Sequence, residues 1–174
     1  MSERKRSFPP VVDSQTRLLI LGSLPGDASL AKAQYYGHPQ NKFWELVGAV
    51  IHVDLRALPY EARLASLLAH GIGLWDVIAE AERKGSLDAS IRDEQPNSIM
   101  ELVYSLPALK AVAFNGGTAA RIGRQQLKQL DGSIILFDLP SSSPAHAVRF
   151  EQKAQKWAAI GQSLTGAIGN SDDF

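Results

Sequence analysis

Asn41, His38, Ser23 and Asp76 are the side chains best suited to act on a polar ligand, and each sits in or beside a Gly/Pro-rich loop or at the end of an apolar run. The first group falls between Gly22 and Trp44. It reads Gly22-Ser23-Leu24-Pro25-Gly26-Asp27, then Tyr35-Tyr36-Gly37-His38-Pro39-Gln40-Asn41-Lys42-Phe43-Trp44. An asparagine amide can orient a water molecule without titrating, because it carries two donors and an acceptor. Asn41 also stands where a helix N-cap belongs, so both readings stay open. Glycines at 22 and 26 let backbone approach a ligand closely, or simply make a strand-to-helix turn. Tyr36 and Phe43 offer flat faces for a nucleobase-like ligand, against the alternative of core packing. His38 can donate to a ligand or hold the backbone before Pro39. Asp76 can accept a ligand N–H or bond within its own loop. A second group, Leu139-Pro140-Ser141-Ser142-Ser143-Pro144 followed by His146 and Arg149, suits phosphate contact through hydroxyls and backbone amides. Ser143-Pro144 is also an ordinary helix start. Asn115, followed by two glycines, reads as a turn. Arg121, Arg124 and Lys128 read as a solvated helix face.

The totals narrow the chemistry. The chain has no cysteine, which excludes disulfides, thiol catalysis and cysteine-held zinc or iron–sulfur groups. No cofactor and no metal is expected. Lysine plus arginine balance aspartate plus glutamate at 18 each, so the surface is not that of a generic nucleic-acid coat. A local basic patch remains compatible with that balance. No apolar run approaches the ~18 residues of a membrane span. The charged start, Ser2-Glu3-Arg4-Lys5-Arg6, precedes no signal-like apolar core, so a cytoplasmic protein without membrane association is expected.

Apolar runs at Leu18–Leu21, Gly73–Ile78, Lys110–Phe114 and Ile134–Phe137 read as strands. Helices are expected over Ser29–Ala33, Phe43–Ile51, Pro59–His70, Asn97–Leu106, Thr118–Leu130 and Phe150–Leu164, with Asn97 and Thr118 as caps and a turn at Asp131-Gly132. Strands separated by helices predict an α/β fold: a three-layer α/β/α sandwich around a central four-stranded, mainly parallel sheet. Residues 1–10 are expected to form a flexible arm, 11–166 one domain and 167–174 a disordered tail. In such a sheet the loops that follow strand carboxyl ends hold the ligand, which places both candidate groups at one end.

These motifs also carry a family resemblance. Gly22-Ser23-Leu24-Pro25-Gly26 resembles the first motif of the uracil-DNA glycosylase superfamily, and His38-Pro39-Gln40-Asn41-Lys42-Phe43-Trp44 resembles the segment that follows it in mismatch-specific uracil glycosylases. Gly71-Ile72-Gly73-Leu74-Trp75-Asp76-Val77 with Gly85-Ser86-Leu87-Asp88 resembles the hypoxanthine-DNA (deoxyinosine) glycosylase branch. Leu139-Pro140-Ser141-Ser142-Ser143-Pro144 is similar to the second motif, a serine-rich loop that enters DNA at the flipped base. The order and spacing of the motifs, over about residues 17–160, carry the likeness.

The resemblance implies a monofunctional DNA repair glycosylase. It would extrude a deaminated base (hypoxanthine, then uracil or xanthine) from double-stranded DNA and leave an abasic site. Leu24 stands where mismatch-specific relatives carry a catalytic asparagine, and the resemblance moves that role to Asn41. Leu139 stands where many relatives have a histidine or asparagine before the motif proline. The base pocket implied is Gly22, Ser23, Leu24, Pro25, Gly26, Tyr36, His38, Phe43 and Asp76. The DNA contacts implied are Ser141, Ser142, Ser143, Pro144 and His146. A monomer is expected. Competing readings are a mismatch-specific uracil/thymine glycosylase, a non-catalytic nucleic-acid-binding module on the same fold, and a serine hydrolase using Ser141–Ser143 with His146. The last lacks the Gly-x-Ser-x-Gly elbow.

Overall fold

A computed structural model of the chain describes residues 4–130 and 132–165. Its strands are β1 (Arg4–Arg6), β2 (Leu18–Gly22), β3 (Ile72–Asp76), β4 (Ile78–Arg83), β5 (Ile91–Pro96), β6 (Ala111–Asn115) and β7 (Ile135–Leu139). Its helices are α1 (Asp27–Lys32), α2 (Phe43–Ile51), α3 (Tyr60–Ala69), α4 (Ile99–Ser105), α5 (Gly117–Gln126), α6 (Phe150–Trp157) and, after a 3-10 turn over Ala158–Gly161, α7 (Gln162–Thr165).

The central sheet is parallel, in the order β3-β2-β6-β7. β2 is buried along its whole length, as a strand covered on both faces must be. Alternation sends Leu18 and Ile20 to one face, where they meet Trp44 and Leu46 of α2, Leu67 of α3 and Trp157 of α6. Leu19 and Leu21 face the other way, toward Ile99 and Val103 of α4 and Ala119 of α5. The expected three layers and four central strands are therefore present. From β2 the chain passes outward to β3 on one side, while β6 and β7 lie on the other. The strand order reverses between β2 and β6, which is where open α/β sheets bind ligands.

A second sheet, β1-β4-β5, is antiparallel and was not expected. Ile78, Ala81 and Ile91 bury its inner face against α4 and α5. Its strands escape a period-2 reading because register shifts interrupt the β4–β5 ladder between Ile78 and Glu82.

The flexible arm expected over residues 1–10 is corrected for the part described. Arg4–Arg6 pairs with Glu80–Glu82 across β4, and Arg4 and Arg6 both form ion pairs with Glu80. Opposite charges on facing strands favour that pairing. Val11 then bridges Leu74, and the carbonyls of Phe8 and Pro9 accept from the Trp75 indole and the Tyr35 hydroxyl. The disordered tail expected over 167–174, and Asp131 of the expected turn, lie outside the described residues. No described helix is long and apolar enough to cross a membrane.

Candidate active site

A cavity of about 510 Å³ opens at the carboxyl ends of the central strands. Most of its wall comes from strand ends and the loops that follow them. Gly22, Ser23, Leu24, Pro25 and Gly26 follow β2; Asp76 ends β3; Asn115 ends β6; Ser141 to His146 follow β7. Tyr36, His38 and Asn41 come from the connection between α1 and α2, and Ser86 to Ala89 from the β4–β5 loop. The fold thus gathers every sequence-derived pocket residue but one, and the serine loop through His146, while Arg149 lies outside the cavity.

The exception is Phe43. It faces inward from α2, is completely buried, and does not reach the cavity. Its ring lies under Tyr36, with centroids 3.8 Å apart and planes 13° from parallel. Phe43 therefore supports the wall and is not itself a face for a ligand. Tyr36 takes a left-handed backbone angle (φ 54°), uncommon for a tyrosine, and that conformation goes with the stacked ring and with the Trp44 indole donating to its carbonyl at 3.2 Å.

Two buried polar atoms in this wall have no partner: the Tyr36 hydroxyl and Asp76 Oδ2. Buried polar groups in native proteins are nearly always satisfied, so such an orphan asks for an explanation. Both flank Gly22. A Cβ there would come within 2.7 Å of Asp76 Oδ1 and 3.1 Å of Tyr36 Oη, so only glycine leaves these groups their space. Burial pushes the Asp76 carboxyl up to about 7; the negative charge of Asp88 adds to the shift and Arg83 opposes it. Burial, followed by the charge of Asp76, also raises the Tyr36 hydroxyl, while the nearby Asn115 amide, outside hydrogen-bond geometry with it, pulls the other way. Asn97 Nδ2 donates to the Asp76 carbonyl at 2.8 Å and so fixes its backbone; it does not cap α4, as the sequence suggested.

Asn41 fills half of its expected capping role. Its Oδ1 accepts the Phe43 N–H at 2.9 Å, although Lys42 is the residue at the N-cap. That bond fixes which amide atom is oxygen and leaves Nδ2 and a second lone pair available. The Asn41 carbonyl is held by Arg56 Nη2 at 2.6 Å, and Arg56 also grips Pro39 O and Glu45. His38 Nδ1 accepts the Gln40 N–H at 3.1 Å and the residue is exposed.

The serine loop divides by burial. Ser142 is buried and exchanges two 2.9 Å hydrogen bonds with Asn115: the Asn115 amide donates to Ser142 Oγ, and the Ser142 N–H donates to Asn115 Oδ1. A phosphate-contact role for Ser142 is therefore corrected, because its hydroxyl is turned into the protein. Ser141 and Ser143 are half-buried, and each accepts a backbone N–H two residues on. Among the described residues no serine hydroxyl is hydrogen-bonded to the His146 ring, which removes the geometry a serine hydrolase needs. Asn115 is the residue the sequence reading missed. The turn is real, with Gly116 at φ +100°, but the same position puts an amide in the wall.

Arg83 braces the opposite rim. It is buried and donates to the carbonyls of Pro25 and Gly85, while its guanidinium lies 3.6 Å from Asp88. Asp88 in turn accepts from Ser23 Oγ at 2.7 Å. Arg83→Met leaves the buried Pro25 carbonyl unpaired and the loop without its brace, and is expected to lower unfolding stability by about 2 kcal/mol, read as a fall in the urea midpoint. An unchanged midpoint would mean that the loops hold without it.

An open α/β sheet with a cavity at its switch point, its wall holding Tyr36, Asn41, Asp76 and Asn115, defines a ligand-binding class, and comparison with known proteins narrows it. The family model described as the uracil DNA glycosylase superfamily matches residues 9–163, and the chain belongs to that family. A hypoxanthine DNA glycosylase of Methanosarcina barkeri is 50% identical over 113 residues, 65% of this chain and 72% of that protein. One from Methanosarcina acetivorans is 41% identical over 156 residues, 90% of this chain and 97% of that protein. The solution NMR structure of a Methanosarcina acetivorans protein, described there as a candidate uracil DNA glycosylase, superposes with a TM-score of 0.83 at 40% identity, covering 93% of this chain and 99% of that one.

Proposed function

We propose that this chain is a monofunctional DNA glycosylase that extrudes a deaminated base, hypoxanthine first, from double-stranded DNA and hydrolyses its N-glycosidic bond as a monomer. The observation that carries the reading is the pair of unpartnered groups, Tyr36 Oη and Asp76 Oδ2, buried beside Gly22 in the cavity that the Asn41 amide also lines. A flipped base supplies what they lack. Ionised Asp76 accepts the ring N–H of hypoxanthine or uracil, and Tyr36 donates to an acceptor on the base edge. The Tyr36 ring, backed by Phe43, gives the base a flat wall.

Chemistry then needs little acid–base help. As the bond from base nitrogen to sugar C1′ breaks, the base leaves with the electron pair and the sugar becomes oxocarbenium-like. Water adds its oxygen to C1′ and releases a proton, and Asn41 orients that water through Nδ2 or its free lone pair. The names of the two Methanosarcina relatives support hypoxanthine as the base.

Excision from matched oligonucleotides holding one deoxyinosine, deoxyuridine or deoxyxanthosine, followed by alkali at enzyme excess, tests this directly. Scission of the inosine strand is expected; no scission of any of the three overturns the reading. Tyr36→Phe gives an independent check. It deletes an unpaired buried hydroxyl, so the free protein should melt no lower, and about 1 kcal/mol of stability is the expected gain, while kcat/KM on inosine falls about tenfold. A lower melting temperature would mean that the hydroxyl is already satisfied in the free protein.

A further inference from the structure

We infer that Arg56 is a positioning residue for hydrolysis: from behind the cavity wall it fixes the backbone of Asn41, and with it the direction from which the Asn41 amide meets its water. The inference rests on the glycosylase reading and on the role given there to Asn41. Arg56 does not line the strand-end cavity. It stands in the 3-10 turn Leu55–Ala57 and borders a separate groove of about 350 Å³ formed with α2, which shares no lining residue with the cavity.

His38-Pro39-Gln40-Asn41 is a tight turn. The Asn41 N–H closes it on the His38 carbonyl at 3.0 Å, with proline at the position such turns favour. The Gln40 N–H is spent on His38 Nδ1, also inside the turn. Bonds of that kind shape a turn but do not fix where it points. Ties from outside do that. Next to the turn, the Lys42 N–H reaches the Ser142 carbonyl. On the turn itself, Arg56 Nη2 donates to both the Pro39 carbonyl at 3.2 Å and the Asn41 carbonyl at 2.6 Å.

A lone surface arginine contributes little. This one is aimed. Its Nε donates to Glu45 Oε1 at 2.7 Å, and Glu45 lies in the first turn of α2, the helix that follows Asn41. Arg63 of α3 donates to the carbonyls of Arg56 and Leu58 and so holds the 3-10 turn in place. One planar fork therefore joins α2, the 3-10 turn and the Asn41 turn, a task that suits a guanidinium and not an ammonium. With Oδ1 already on the Phe43 N–H and the backbone held, the rest of the amide has one direction to face. A shift of about 1 Å at a reacting group costs on the order of 10²-fold in rate.

Arg56→Ala and Arg56→Lys are each made in wild type and in Asn41→Ala. Single-turnover hypoxanthine excision, a thermal melt and affinity for a duplex holding a tetrahydrofuran abasic analogue are measured for every variant. In the wild-type background alanine is expected to slow excision about 30-fold and lysine, one atom shorter, about tenfold, with affinity for the analogue within about twofold of wild type. In the Asn41→Ala background both losses shrink to about twofold or less, because no amide is left to position. A merely structural role predicts the same loss in both backgrounds. Equal losses there, wild-type rates, or a fall in affinity that matches the fall in rate overturn the positioning role while the glycosylase reading stands. An Asn41→Ala protein as fast as wild type overturns it too. The lysine variants decide the matter if the melt shows the alanine variants unfolded. Wild type that cuts no inosine strand overturns the glycosylase reading itself, and the role of Arg56 with it.

Discussion

Asn41→Ala lowers single-turnover excision of hypoxanthine about 10²–10³-fold, the usual cost of removing one positioned polar group from a hydrolytic site. The variant also loses the bond from the Phe43 N–H to Oδ1, which is worth about 1 kcal/mol as a cap. Stability and chemistry are therefore separated by Asn41→Asp, which keeps an acceptor for that N–H and removes the NH₂. The loop itself does not depend on the side chain, because Arg56 holds the Asn41 carbonyl. Single-turnover rates with a thermal melt for each variant make the measurement. If the alanine variant cuts nearly as fast as wild type while folded, the water is held elsewhere, with Ser23 and Asp76 the next residues to replace.

Asp76→Asn removes a pH limb. In the free protein the carboxyl sits at about 7, so wild-type kcat/KM is expected to rise through that pH as Asp76 ionises and becomes able to accept a base N–H. The asparagine variant is flat over the same range and about 10- to 100-fold slower at pH 8, the worth of one charge-assisted hydrogen bond. Stability moves the other way. A carboxyl raised by burial supports the fold fully below its unfolded value near 3.8, and that support is lost as pH rises through about 7. Wild type should therefore be more resistant to urea at pH 5 than at pH 8, and the asparagine variant should lose much of that difference. Charges facing the group come from Asp88, which adds to the shift, and Arg83, which opposes it. A wild-type urea midpoint that rises from pH 5 to pH 8 would mean that Asp76 is ionised and compensated in the folded state.

The parallel sheet was legible because its strands are short apolar runs bounded by Gly, Pro and Asn. α2 was read at its observed bounds because its apolar spacing is helical and stops at Ile51, with His52 in the left-handed conformation. The second sheet was not legible. Glu80, Ala81, Glu82 and Arg83 carry little strand preference, and two register shifts destroy their alternation. The motifs point to residues that the fold gathers around one cavity, but burial is not written in a motif. Phe43 and Ser142 look like contacts in the sequence and are turned inward in the fold. Asn115 failed for the opposite reason: Asn-Gly-Gly does make a turn, and that local explanation hid the amide's tertiary role against Ser142.

The loops of the site are stitched to one another. Asn115 and Ser142 join those after β6 and β7, the Lys42 N–H reaches Ser142 O at 3.0 Å, and Asp88 joins the β4–β5 loop to Ser23. A receptor bound together in this way has little left to rearrange when a base arrives. The motion needed for recognition then falls to the DNA, and discrimination begins with the ease with which a pair opens. A damaged base, loosely held by its partner, presents itself more often than a sound one. On the proposed reading the protein would act as a fixed gauge, admitting what the double helix has already half released.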